Sequence, residues 1–184
     1  MTCDSKTFAI SDPTRTGYTF DGWTVAGNGI TQTDNGTSTT FTKNQTGNMT
    51  ITANWTPIPY KQIVKVRYQN ADGTWGNYSD VINANYNYGS TVSWSRAADA
   101  TYKAASISYT VTGANTKYAS VYRNTYLQIV KVRYQNADGT WGNYSDVINA
   151  NYLYGSTVAW SRAADATYKA ASISYTVTGA NTKY

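Results

Sequence analysis

The stretch QIVKVRYQNADGTWGNYSDVINANY fills residues 62–86 and returns, letter for letter, at 128–152. Past it the two copies run in parallel to Tyr118 and Tyr184, and only Asn87/Leu153 and Ser93/Ala159 differ. The offset is 66 residues. Solenoid units of roughly 20–50 residues are too short to bury their own faces, whereas a unit of this length can close a small core. Each residue in the repeat therefore has to be judged as one of a pair.

Within a copy, Val64, Val66 and Tyr68 alternate with Lys65, Arg67 and Gln69, the pattern of a half-buried strand. Asn70-Ala71-Asp72-Gly73 follows with the chemistry of a hairpin turn. A β-prone segment spans Val81–Trp94, broken at Tyr88-Gly89-Ser90, and Ile107–Thr112 alternates again. Ser95–Ala100 reads as a short helix with Ser95 as its N-cap. A last strand is expected around Ala119–Tyr126, running almost without punctuation into the next copy. The expected buried set is Val64, Val66, Tyr68, Trp94, Tyr109 and Val111, with counterparts in the second copy.

Residues 1–57 have a different texture. Thr, Val, Tyr and Trp favour strands there as elsewhere, and with no Glu in the chain few strong helix formers remain. Thr56-Pro57-Ile58-Pro59 then stiffens the connection, because each proline fixes φ. The organisation is a first module at 1–57, a Pro-rich linker at 58–61, copy one at 62–127 and copy two at 128–184. Copy two is expected to lack its last strand.

The string Pro13-Thr14-Arg15-Thr16-Gly17-Tyr18-Thr19-Phe20-Asp21-Gly22-Trp23, closed by Ile51-Thr52-Ala53-Asn54-Trp55, resembles the Listeria–Bacteroides repeat of the internalin B-repeat type. The resemblance covers about residues 6–57. It implies a small β-grasp unit of a bacterial surface protein, here entered after the family's opening strand. Val64-x-Val66-x-Tyr68 before Asp72-Gly73, Tyr88-Gly89-Ser90-Thr91-Val92, Tyr109-Thr110-Val111 and Val121-Tyr122-Arg123 resemble mucin-binding-protein-type repeats, also β-grasp-like. The fold expected is β-rich α+β: tandem small β-grasp (ubiquitin-like) modules in an elongated array. The two resemblances imply an extracellular, cell-surface location on a Gram-positive cell, with any wall or membrane anchor outside residues 1–184.

Chemistry is thinly supplied. The chain has no His and every acidic residue is Asp, so acid–base work would fall on Asp, Lys or Tyr. Asp34, Asp72 and Asp138 sit in turn sequences, where a carboxylate holds its own backbone. Asn70-x-Asp72-Gly73 with Asn77 and Asp80 is oxygen-rich, yet the terminal bidentate acid of a calcium loop is missing. The expectation is no enzyme, no cofactor and no metal. The lone Cys3 cannot pair within the chain.

Aromatics are the richer resource, with 18 Tyr and 6 Trp. Trp23, Trp55 and Trp94 are expected in cores, since large rings bury most area per residue. Trp75 follows a turn and is the best exposed ring. The candidate glycan contacts are Trp75, Tyr78, Lys65 and Arg67, with Trp141, Tyr144, Lys131 and Arg133 in copy two. The net charge of +5 resides in the copies and places a basic stripe toward anionic glycans, mucin or cell-wall polymers. Five charges over this length are a thin footprint for nucleic acid, and no segment is apolar enough for membrane insertion. An open sheet edge at the end of copy two is a further place for another chain to pair. The function these features support is a stalk or spacer with a candidate adhesive role; the alternative is an array of carbohydrate-binding modules.

Overall fold

The computed structural model describes residues 6–184, and Cys3 lies outside them. The first module comprises β1 (Lys6–Ser11), β2 (Tyr18–Ala26), β3 (Ile30–Asp34), β4 (Ser38–Lys43) and β5 (Thr50–Pro57). Strands β1 and β3 flank β4 in one antiparallel sheet, and β2 pairs with β5 in another. Phe41 is fully buried between Phe8, with ring centroids 5.6 Å apart, and Trp23, at 6.2 Å. Phe20 stands edge-on to Trp23 at 5.2 Å and to Trp55 at 5.4 Å. Both tryptophans are half-buried rather than sealed in.

Copy one contributes β6 (Pro59–Tyr68), β7 (Ser79–Asn87), β8 (Thr91–Arg96), β9 (Ala105–Thr110) and β10 (Asn115–Val121). Copy two repeats the order as β11 (Thr125–Val132), β12 (Ser145–Leu153), β13 (Thr157–Arg162), β14 (Ala171–Thr176) and β15 (Asn181–Lys183). In each copy a three-stranded sheet (β10-β6-β7, then β12-β11-β15) accompanies a two-stranded one (β8-β9, then β13-β14). By contacts the chain divides into two compact units, and the division runs through copy one: Ala84–Val92 and Tyr109–Asn115 group with the residues up to Gln62, the remainder with copy two.

The α+β expectation is overturned. Among the described residues there is no helix, and a β-grasp unit requires one. Ser95–Ala100, expected to be helical, finishes β8 at Arg96 and then turns. Six residues are too few to repay helix nucleation. Asp99 does the capping instead: its Oδ1 accepts from Thr101 N at 2.8 Å and Tyr102 N at 2.7 Å, and its other oxygen pairs with Arg96. Asp165 and Arg162 repeat the arrangement in copy two.

The alternation in β6 is read correctly from the residues. Val64 and Val66 are fully buried, as are Val92, Val111 and Val121. Tyr68, Trp94 and Tyr109, expected in the core, are half-buried, because a ring this large keeps an edge in solvent when only thin sheets cover it. Asn70–Gly73 forms the expected turn, with Gly73 N donating to Asn70 O at 3.1 Å and Gly73 at φ 88°, a conformation side chains resist.

Two boundaries move. Residues 58–61, expected as a linker, leave only Ile58 between β5 and β6. Pro59 opens β6, where a strand tolerates the missing donor. The closing strand of copy one is Asn115–Val121, upstream of the expected Ala119–Tyr126. Its counterpart, expected to be missing from copy two, is present over three residues as β15, which pairs in parallel with β11 at Gln128↔Asn181, Ile129↔Thr182 and Val130↔Lys183.

The junctions between modules repeat as well. Ile58 N donates to Gly17 O at 2.8 Å, and Ile58 O accepts from Tyr88 N at 2.9 Å. Sixty-six residues on, Asn124 N donates to Thr101 O at 2.9 Å and Asn124 O accepts from Tyr154 N at 2.9 Å. Gly17, at φ 79°, leaves room for the Tyr88 ring; a Cβ there would lie 2.1 Å from it. At the second junction Arg123 Nη1 also donates to Tyr154 O at 2.8 Å and Tyr126 Oη to Ala100 O at 2.9 Å.

Candidate functional site

The alternation that buries Val64 and Val66 turns Lys65 and Arg67 to the opposite face of the β10-β6-β7 sheet. There Arg67 collects two of the candidate rings. Its guanidinium lies 4.6 Å from the centroid of Trp75 and 4.9 Å from that of Tyr78. Its Nε donates to Ser120 Oγ at 3.0 Å. Lys65 Nζ pairs with Asp80 Oδ1 at 2.5 Å, and that hydrogen bond, ahead of the charge attraction, raises the Lys65 pKa above its ordinary value. All four candidate residues of copy one thus share one face.

Sequence reasoning missed two members of that face. Tyr118 stands edge-on to Tyr78 at 5.0 Å, and Tyr122 edge-on to Trp75 at 5.0 Å. They are 57% and 53% exposed. The signal was the alternation Tyr118-x-Ser120-x-Tyr122 around the buried Val121, cut short at Tyr118 by starting the strand at Ala119.

Copy two assembles the same set from its own residues. Arg133 lies 4.8 Å from the Trp141 centroid and 4.9 Å from that of Tyr144, and Lys131 pairs with Asp146 at 2.6 Å. Tyr184 meets Tyr144 edge-on at 5.2 Å. One ring differs sharply. Trp75 is half-buried, with Arg67 over it and Tyr122 against it, whereas Trp141 is 54% exposed. A sugar stacks on a bare ring face. Arg133 lies over Trp141 as Arg67 does over Trp75, so what differs is Tyr122, which stands against Trp75 and leaves it the less exposed ring.

The oxygen-rich turn is committed to its own backbone. Asp72 Oδ1 accepts from Thr74 N at 2.9 Å and Thr74 Oγ1 at 2.6 Å, and these bonds, the hydroxyl's first, lower its pKa. Asp138 and Thr140 do the same, and Asp34 Oδ1 accepts from Gly36 N at 2.8 Å. Among the described residues no three His, Cys, Asp or Glu side chains converge as a metal site would require. Among the described residues no helix is long and apolar enough to cross a membrane.

Residues 9–59 match the family described as the divergent InlB B-repeat domain. That covers less than a third of the chain, so it speaks for the first module, which is InlB B-repeat-like, as its motifs implied. The mucin-binding-protein-type resemblance of the two copies finds no support, and those repeats are left without a family. No curated protein and no solved structure matches the chain.

Proposed function

We propose that this chain is a non-catalytic segment of a bacterial cell-surface protein, displayed outside the cell, and that its work is to space and present whatever it is joined to. The observation that carries the reading is the pair of short junctions, one residue (Ile58) between β5 and β6 and three (Tyr122–Asn124) between β10 and β11, in which Ile58 and Asn124 are each bonded on both N–H and C=O. A connection so short and so fully bonded suits transmission of reach and load. The InlB B-repeat-like first module supports the surface location. The absence of His and Glu and the commitment of turn aspartates to backbone bonds favour a non-enzymatic role.

A second reading, adhesion to anionic glycans, mucin or wall polymers, is favoured by the exposed Trp141 beside Arg133 and Lys131. A glycan-binding array would use its copies alike and multiply weak contacts. The covering of Trp75 argues against that for copy one. A glycan and wall-polymer array probed with the full chain tests both readings. No binding is expected for a spacer. Saturable binding lost in Trp141→Ala would replace that reading with the adhesive one.

A further inference from the structure

Copy one sets two tyrosines side by side on its surface. Tyr78 leads into β7 and Tyr118 lies within β10, the two strands that flank β6. Their rings meet edge-on across that central strand, with centroids 5.0 Å apart and planes at 74°. Aromatic pairs stand roughly 4.5–7 Å apart, so this contact is at the close end of the range. Both rings reach solvent, Tyr78 at 38% exposure and Tyr118 at 57%. Copy two repeats the contact between Tyr144 and Tyr184, at 5.2 Å.

Other tyrosine pairs of copy one are less accessible. Tyr68 and Tyr102 are 5.2 Å apart and Tyr60 and Tyr88 6.5 Å apart, yet all four rings are half-buried. Exposed side chains change rotamer within about a nanosecond, so the rings of Tyr78 and Tyr118 can turn edge to edge without any strand moving. Arg67 braces the site from below. Its guanidinium lies 4.9 Å from the Tyr78 centroid, and its Nε donates to Ser120 Oγ on β10 at 3.0 Å. The chain's one cysteine is Cys3, so no disulfide within the chain can tie these strands together.

We propose that Tyr78 and Tyr118 form an oxidative cross-linking site, joined into a dityrosine by a one-electron oxidant such as a haem peroxidase with hydrogen peroxide. Each phenol gives up one electron and its O–H proton. The two radicals pair their electrons in a new bond between one Cε of each ring. The hydrogen on each of those carbons then moves to its own ring's oxygen, which restores both phenols. Peroxide takes up the two electrons and two protons and leaves as two waters, so the protein loses two hydrogens. The bond closes the β10-β6-β7 sheet across its outer strands. It goes beyond the spacer reading and does not rest on it, because the chemistry depends only on geometry within a copy.

The test treats the full 184-residue chain, kept dilute, with a haem peroxidase and hydrogen peroxide. The monomer should lose two hydrogens for each bond formed and gain dityrosine fluorescence. Trypsin should release the peptide 68–96 joined to 118–123, with fragmentation placing the bond on Tyr78 and Tyr118. Tyr122 is the internal control, since it shares that second peptide and is 53% exposed but stands against Trp75. The Tyr78–Tyr118 bond should outnumber the Tyr78–Tyr122 bond by at least about tenfold, the effect of holding two reacting groups together. Tyr118→Phe should abolish the bond and Tyr122→Phe should leave it, with amide exchange across β6 checking that both variants fold. Comparable yields of the two bonds, an undiminished yield in Tyr118→Phe, or products joined only between chains would overturn the proposal.

Discussion

Copy one and copy two are nearly the same text in different surroundings. Val66 is sealed and Val132 half-buried; Tyr68 is half-buried and Tyr134 exposed; Trp75 is half-buried and Trp141 exposed. At the other end of each copy the surroundings agree. Gln62 and Gln128 are both fully buried, and each donates its Nε2 at 2.7 Å, to Gly113 O and Gly179 O respectively. The divergence begins where Ser120–Arg123 bonds to Gln69 and Lys103 in copy one, bonds that Gln135 and Lys169 do not make among the described residues. A repeat thus fixes its own strands and turns, while the environment at its far end is set by the segment that follows.

The largest consequence falls on the valines. Val66→Ala opens a cavity in a sealed site and should cost about 1–3 kcal/mol, whereas Val132→Ala should cost less than half as much. Since the chain holds several modules, one global transition is not a safe readout. Exchange protection compared copy by copy is the measurement. Equal losses would show that Ser120–Arg123 does not seal Val66.

A somewhat smaller difference is expected without any mutation. The Tyr102–Lys103 backbone that borders β9 is held by Tyr122 and Arg123, and the Tyr168–Lys169 backbone bordering β14 is not so held. Amides of Ile107–Val111 should therefore exchange about tenfold more slowly than those of Ile173–Val177, a gap of about 1.4 kcal/mol. Equal protection in a dilute monomer would make the closing segment dispensable to the hairpin.

The near ends should show no difference at all. Gln62→Leu leaves the Gly113 carbonyl without its partner, at a cost of about 1–3 kcal/mol, partly offset because the unpartnered Gln62 Oε1 is no longer buried. A net loss of about 1 kcal/mol is expected, and the same for Gln128→Leu. The loss of exchange protection around Gly113 in the first variant and around Gly179 in the second should coincide. A clear separation would mean that the far end influences the near one.

What could be read from the residues follows the same division. The strand at Val64–Tyr68 and the turn at Asn70–Gly73 were legible because alternation and turn chemistry are local. Ser95–Ala100 misled because Ser, Arg and Ala favour a helix, while length and the Asp99 turn decide against one. Tyr118 was missed because the expected strand began one residue after it, and Tyr122 because nothing in its own strand says that it will meet Trp75. The contrast between Trp75 and Trp141 was beyond reach, since identical letters carry no information about what lies over them. The residues named as candidate glycan contacts do lie together, with Arg67 over Trp75 and Tyr78 and Arg133 over Trp141 and Tyr144, an arrangement that sequence spacing did not foretell.

The smallest effect is a test of sameness by pH. Asp72 and Asp138 are exposed, and both have carboxyls held below the ordinary 3.8 by the threonine hydroxyl and amide two residues on. Asp99 and Asp165 are lowered too, chiefly by the amides of Tyr102 and Tyr168. A depressed folded pKa means the unfolded chain binds more protons, so the contribution is present above 3.8 and disappears as pH falls through the folded value. Lys65 and Lys131 run the other way: raised above 10.5 by Asp80 and Asp146, they contribute below 10.5 and cease to as pH rises through the folded value. Solvent screens all of these groups, so the stability plateau between the two limits should be broad and its shoulders shallow. The sharper prediction is equality: none of these partners involves Ser120–Arg123, so Asp72 and Asp138 should titrate together, as should Asp99 and Asp165. Carboxyl-detected NMR titration of the full chain measures each midpoint. An ordinary midpoint for Asp72, or a split between the members of either pair, would show that the far-end difference reaches even the turns.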